Sequence, residues 1–219
     1  SSSGDAFFEP EGEDLLAGLI LAAALAKEPI TTVFEWVTKQ TDETPVRILD
    51  DHGFGLVAGA LSEQFSAPEK QKGGVFSTAK KMAAVLKYED IRRWVCPPQR
   101  GERPRRAFDV AEFVTSKDTL YLLSEEGPAS GGALVTAFAS AVAAAGKDEG
   151  GRAGGRMPVP MLIVLDEAAN IVRWRNLPKQ YSHFGSRGIV VMTILQSWAQ
   201  GVGCWGEAGM KALWSAANI

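Results

Sequence analysis

Along residues 5–96 the apolar positions recur at three- and four-residue spacing, and no stretch there alternates as a strand would. Glu13 to Ala26 is apolar on most faces and predicts a core helix. Pro29 to Thr32 reads as a helix start. Thr32 and Glu35 stand at capping-box spacing there, among Val33, Phe34, Trp36 and Val37. Thr44-Pro45 offers an N-cap with proline in the first turn, and Gly53 offers a stop. Leu56 to Phe65 predicts a short amphipathic helix. A longer one begins at Ser66-Ala67-Pro68-Glu69 and carries the stripe Val75, Phe76, Ala79, Met82, Ala83 and Leu86. Tyr88 to Val95 predicts a final short helix, which makes this part of the chain all-α.

Beyond about residue 107 the pattern changes. Pro97 to Arg106 is rich in proline and arginine and reads as a loop. Phe108 to Val114 predicts a short helix capped by Asp109, and Thr119 to Leu123 a first strand. Gly131 to Ala145 is an alanine-rich helix, small enough in its side chains to lie close against a sheet. It is predicted to end at Gly146 and to lead into a glycine-rich charged loop from Lys147 to Arg156. Met161 to Leu165 is a continuous apolar run, the form of a buried parallel strand. Ile189 to Leu195 is another. About 25 residues lie between them, enough for the crossover helix that a parallel pair requires, with a helical stretch near Leu177 to Phe184. A last helix is predicted from Gly206 to Ala217. The expected class is α/β, with about three parallel strands. Trp198, Trp205 and Trp214 cluster at this end, either as core or as an exposed face.

Composition narrows this picture. At 219 residues and 46% hydrophobic, the chain can bury one or two cores. Cys96 and Cys204 stand in no metal or redox spacing, and His52 and His183 are the only histidines, so a histidine-rich metal site is excluded. The longest apolar run, Leu15 to Ala26, is too short to span a bilayer. The net charge of −3 conceals a segregation. Residues 1–65 carry 12 acidic and 3 basic side chains, residues 66–108 carry 4 and 11. Either the surface is polarised or the two segments neutralise each other.

The candidate chemistry lies where the apolar runs end. Met161 to Leu165 leads directly into Asp166-Glu167, which puts two acids at the carboxyl end of a strand, where ligands bind in open α/β sheets. In a phosphate-cleaving site such acids hold Mg²⁺ and polarise water. The same residues also fit a polar helix cap, with Asp166 bonding the next turn. The second run leads to Gln196, an amide suited to sensing a γ-phosphate, to positioning water, or simply to bracing a loop. Arg187 precedes that strand, at the opposite end. It suits an arginine finger offered to a neighbouring subunit, or a solvated turn beside Gly188. Arg100, Arg103, Arg105 and Arg106 suit DNA phosphates, but no aromatic is interleaved among them for base stacking, so a solvated connector fits as well.

Several of these residues carry a family resemblance: Leu165-Asp166-Glu167-Ala168-Ala169-Asn170, Leu177-Pro178, Gly185 to Ile189, Ile194 to Gln200, Gly206 to Gly209 and Ala216 to Asn218. With Thr119 to Ser124 before them, they resemble the TraG/TraD-type coupling proteins of type IV secretion and conjugation, in the FtsK/HerA branch of RecA-like motors. Phe7-Phe8, Asp14 to Leu16 and Gly74 to Lys80 resemble, more loosely, the start and end of that family's inserted helical domain. The resemblance implies an all-α inserted domain over residues 5–106 and the C-terminal part of a RecA-like nucleotide-binding domain over residues 107–219. It implies ATP and Mg²⁺ as cofactors, Asp166 holding Mg²⁺ through water, Glu167 as catalytic base, Gln196 as γ-phosphate sensor and Arg187 reaching a neighbouring site. By the same resemblance the parent is a homo-hexamer at the cytoplasmic face of the bacterial membrane, held by a segment N-terminal to Ser1. It delivers DNA, with a relaxase or a secreted protein, to the channel of a type IV secretion system.

One departure is large. The family's Gly-x-x-x-x-Gly-Lys-Ser/Thr loop holds the phosphates, and it is missing here. Gly53 to Gly59 lacks the lysine, and Gly150 to Arg156 lacks Gly-Lys-Ser/Thr. In the family that loop precedes the helical insertion, so these residues are expected to bind no ATP by themselves. Two other readings follow: a non-catalytic docking module of a secretion system, or a related motor for double-stranded DNA or type VII secretion.

Overall fold

The computed structural model describes residues 3–98, 101–124 and 130–217. Two compact units emerge, residues 1–105 and residues 106–219. The first is helical: α1 (Ser3–Leu25), α2 (Thr31–Thr38), α3 (Thr44–Asp51), α4 (Gly55–Ser66), α5 (Glu69–Met82), a 3₁₀ turn (Ala83–Lys87) and α6 (Glu89–Val95). α1 is the central element. Leu15, Leu19 and Ala22 are fully buried against Val33, Val37, Leu49, Leu61 and Phe76 from the surrounding helices. α1 starts earlier than the pattern of Glu13 to Ala26 implies and runs through Pro10. Tertiary contact explains the extension: the Phe8 ring lies over Gly74 of α5, where a Cβ would stand 2.4 Å from it.

The helix ends of this unit follow the local end chemistry only in part. Thr32 does not cap α2; the cap position is Ile30, in helical geometry and without a side-chain bond. Asp42 serves α3 instead of Thr44, since its Oδ1 accepts from the Thr44 N–H at 3.1 Å. Gly53 does stop α3. At φ 83 it lets the Phe54 N–H reach Leu49 O and its own N–H reach Asp50 O, the two bonds of a Schellman end.

The second unit comprises α7 (Val110–Thr115), α8 (Gly132–Arg152), β1 (Met161–Leu165), α9 (Leu177–Phe184), β2 (Ile189–Thr193) and α10 (Trp198–Ala216). Asp109 caps α7, accepting from the Glu112 N–H at 2.9 Å. β1 and β2 pair in parallel, Met161 opposite Ile189 through Leu165 opposite Thr193. The unit is thus α/β, mostly helical, with a two-stranded sheet among the described residues.

Three expectations fail here. Thr119 to Leu123 forms no strand; it is irregular, with Tyr121 and Leu123 at 81% and 90% exposure and no neighbour to pair with. The sheet has two strands, not three, among the described residues. The helix expected to end at Gly146 continues to Arg152, because the glycines are where it meets the sheet. A Cβ on Gly146 would stand 2.8 Å from Met161 Cε and 3.3 Å from Ile189 Cδ1. On Gly150 it would stand 3.1 Å from the Arg187 carbonyl oxygen.

One sheet face packs on the core through Leu165 and Ile189. The opposite face leaves Leu162, Val164, Val190 and Met192 between 52% and 62% exposed. The apolar runs therefore suit two covered faces, while one is covered.

α10 folds back on itself at Gly206 (φ 70, ψ 169). A straight helix would hold Trp198 and Trp214 about 24 Å apart. Their ring centroids are 5.8 Å apart, and Gly201 lies directly under Met210. The predicted Gly206 to Ala217 helix is the second arm of this hairpin. No described helix is long and apolar enough to cross a membrane.

These contacts set two expectations. Gly59 of α4 has nothing within 4 Å of a Cβ, so Gly59→Ala should raise stability by about 0.5–1 kcal/mol. Gly146→Val should lower it by about 1–3 kcal/mol by overpacking α8 against the sheet. Urea unfolding of both variants checks the pair. The hydrogen bonds from Thr44 hold the Asp42 carboxyl below its usual value of 3.8, with smaller help from Lys39 and Arg47. A folded-state value below the unfolded one stabilises above the unfolded value and is lost as pH falls through the folded value. Asp42→Ala should therefore cost about 0.5–1 kcal/mol at neutral pH and nothing once the carboxyl is protonated. Unfolding midpoints measured at pH 7 and pH 2.5 would reveal it.

Candidate functional site

Parallel pairing brings the ends of β1 and β2 out together, and two further bonds extend the match past the last paired residues. Ile194 N–H donates to Leu165 O at 2.9 Å, and Ala168 N–H donates to Ile194 O at 3.2 Å. Gln196 is thereby carried alongside Glu167. Its Nε2 donates to both Glu167 carboxylate oxygens, at 2.8 and 2.9 Å. Asn170 Nδ2 donates to Glu167 Oε2 at 3.1 Å. Gln200 Nε2 donates to Asn170 Oδ1 at 2.9 Å, while Gln200 Oε1 accepts from the Gln196 backbone N–H at 3.0 Å. Three amide side chains, those of Gln196, Asn170 and Gln200, thus close a ring with one half-buried carboxylate.

The backbone beneath is strained. Glu167 takes φ 51, a left-handed conformation that costs a side-chain-bearing residue on the order of 1 kcal/mol. It turns the chain sharply, and Glu167 O then accepts from Asn170 and Ile171 N–H. Ala168 and Ala169 are buried and anchor the turn. Asp166 is exposed, and its Oδ1 accepts from the Glu167 N–H at 3.1 Å. That bond reaches only the adjacent residue, and no helix begins at Asp166 for it to cap. The rest of the Asp166 carboxylate faces solvent, where it suits a hydrated divalent cation.

Asp166, Glu167 and Gln196 are together; Arg187 is not with them. It precedes β2, one strand length or about 16 Å from the acid end. Its Nη1 donates to Gly155 O at 3.3 Å. Of the four arginines in the loop from Pro97 to Arg106, Arg100 lies outside the described residues. Arg103, Arg105 and Arg106 are exposed. Arg105 donates to Cys96 O at 3.0 Å and Arg106 pairs with Glu112 at 3.0 Å, so these two already have protein partners.

Asn170 and Gln200 stand within the family-like stretches of the sequence, which give them no role of their own. Their signal was spacing: Asn170 follows Glu167 by three and Gln200 follows Gln196 by four, so each lies one turn on. Among the described residues no group of three His, Cys, Asp or Glu forms a metal cluster. Cys204 is half-buried, and burial pushes its thiol up while Arg173 pulls more weakly the other way.

Among the site residues, Asp166 offers the solvent-facing carboxylate that would hold Mg²⁺ through water. No phosphate cradle stands among the described residues. Gly150 to Arg156 belongs to the carbonyl end of α8, whose polarity opposes phosphate, and Gly53 to Gly59 belongs to the other unit.

The ring sets an energetic expectation. Gln196→Ala and Glu167→Ala should be coupled by about 1 kcal/mol in a double-mutant cycle, because each single change removes the same charge-assisted bonds at a partly exposed site. Additive losses in urea unfolding would show that the bonds do not hold in solution.

Comparison with known proteins covers this same region. Residues 160–219 match the family model described as the TraM recognition site of TraD and TraG. No curated protein and no solved structure matches the chain. The matched span takes in β1, the strand-end ring, β2 and both arms of α10. Over residues 160–219, this chain is similar to the TraM recognition site of the TraD and TraG coupling proteins.

Proposed function

We propose that residues 106–219 are the Walker B side of a RecA-like motor in a conjugative coupling ATPase. In this reading the segment 160–219 also recognises a relaxosome partner of the TraM kind. The observation that carries the motor reading is the bond from Gln196 to Glu167 across two parallel strand ends. Such an amide can report the state of one strand end to the acid on the other. Bound Mg²⁺ would neutralise charge developing on the phosphates. Asp166 would hold it through water, Glu167 would take the proton of the attacking water, and Gln196 would place Glu167. Arg187, distant from this chain's own acids, would serve the site of a neighbour in a hexamer. The helical unit would select DNA, relaxase or secreted protein, with Arg103, Arg105 and Arg106 beside it as phosphate contacts. The parent would work at the cytoplasmic face of the bacterial membrane, against the type IV secretion channel.

A second reading also has its observation. Both Glu167 oxygens already accept from amide donors, as they would if the acid pair only braced a loop in a substrate-docking module.

ATP turnover by a chain extended N-terminally through a phosphate-binding loop separates the two. The motor reading predicts hydrolysis that falls by about 10²- to 10⁴-fold in Glu167→Gln. No hydrolysis with or without DNA would leave the docking module. The 219 residues alone should neither hydrolyse ATP nor bind it at micromolar concentration; calorimetric titration showing such binding would contradict the division of labour proposed here.

A further inference from the structure

An open cleft that the strand-end chemistry does not use lies between the hairpin of α10, the end of β2 and Tyr181. Its volume is about 300 Å³, the size of one large side chain, and its walls are Leu195, Met210 and Leu213. Trp198 and Trp214 stand at 44% and 59% exposure, edge to face. Tyr181 also lines the cleft, but its hydroxyl is committed to Val191 O at 2.6 Å. Thr193 is different. Its Oγ1 is buried and has no hydrogen-bond partner among the described residues, and Thr193 lines this cleft. A buried hydroxyl without a partner is an uncommon state in a folded protein, and a group brought by a ligand can relieve it.

Those features define an occupant. The apolar walls and the two indoles suit an aromatic ring, and the orphaned hydroxyl asks for one polar atom at the ring's far end. A phenol meets both demands. The whole cleft lies between residues 181 and 217, inside the span that matches the TraM recognition family. We propose that this cleft is the anchor point for the TraM-type partner, which lays a tyrosine side chain against the paired Trp198 and Trp214 rings so that its hydroxyl bonds Thr193. The proposal rests on the partner-recognition reading above and names the place and chemistry of the contact.

Two arms of one experiment on the full 219-residue chain test it. In the first, p-cresol and toluene are titrated while the methyl signals of Leu195 and Leu213 are followed by NMR. The expected result is p-cresol binding at least about 5-fold more tightly than toluene, with the preference gone in Thr193→Val, which keeps the shape and removes the hydroxyl. Equal binding of the two, or no shifts at these methyls, overturns the proposal. In the second arm a purified TraM protein is titrated onto the chain. Trp214→Ala, a change at an exposed position, should weaken binding at least about 10-fold, and Thr193→Val should weaken it as well. TraM binding that neither variant alters overturns the cleft and leaves partner recognition standing. No TraM binding to the unaltered chain overturns the recognition reading and the cleft with it. A dimer in sedimentation that dissolves in Trp214→Ala would assign the cleft to a second copy of the chain, which also overturns the proposal.

Discussion

Parallel strands leave a sheet in the same direction, so the residues that follow them become neighbours whatever their distance in sequence. Here that constraint acts through a short ladder, Met161 with Ile189 to Leu165 with Thr193, and two bonds beyond it through Ile194. Slipping the pairing by one residue would turn Ile189 out of the core and Met192 into it, and would separate Gln196 from Glu167. Core packing and site geometry therefore depend on one register. The left-handed turn at Glu167 is tolerated under the same constraint, because Ala168 and the amide ring hold it from both sides.

Glycine determines how closely the helices approach. Gly146 and Gly150 let α8 lie against β1 and the start of β2; Gly12 and Gly74 do the same between α1 and α5. Gly206 acts differently, through its positive φ, and turns what would be a rod into a hairpin. That turn brings the two tryptophans together on the wall of the cleft.

Much of this was legible in the chain. The all-helical first unit, the parallel pair, the connecting helix at Leu177–Phe184 and the Asp109 cap all follow from spacing and end chemistry. So does the meeting of the acids with Gln196, once two apolar runs are taken as parallel. Other features depend on contacts that a linear pattern does not encode. The apolar alternatives at Thr119 to Leu123 read as a strand, but a strand needs an edge to pair with. Gly146 looked like a stop, because glycine ends helices by default and only the nearness of Met161 gives it another purpose. Thr32 had the spacing of a capping box, yet α2 begins one residue before it. Asn170 and Gln200 were visible as letters, and their partnership appears only when two strand ends are side by side.

The strand-end site depends on the Gln196 side-chain amide being bound to the Glu167 carboxylate in the folded chain. The ¹⁵N-resolved NMR signals of the Gln196 Nε2 protons test it most directly. The account predicts slowed solvent exchange and displaced shifts for these two protons, both reverting to free-glutamine behaviour in Glu167→Ala. Signals already those of a free glutamine in the unaltered chain, or unchanged by Glu167→Ala, would contradict it.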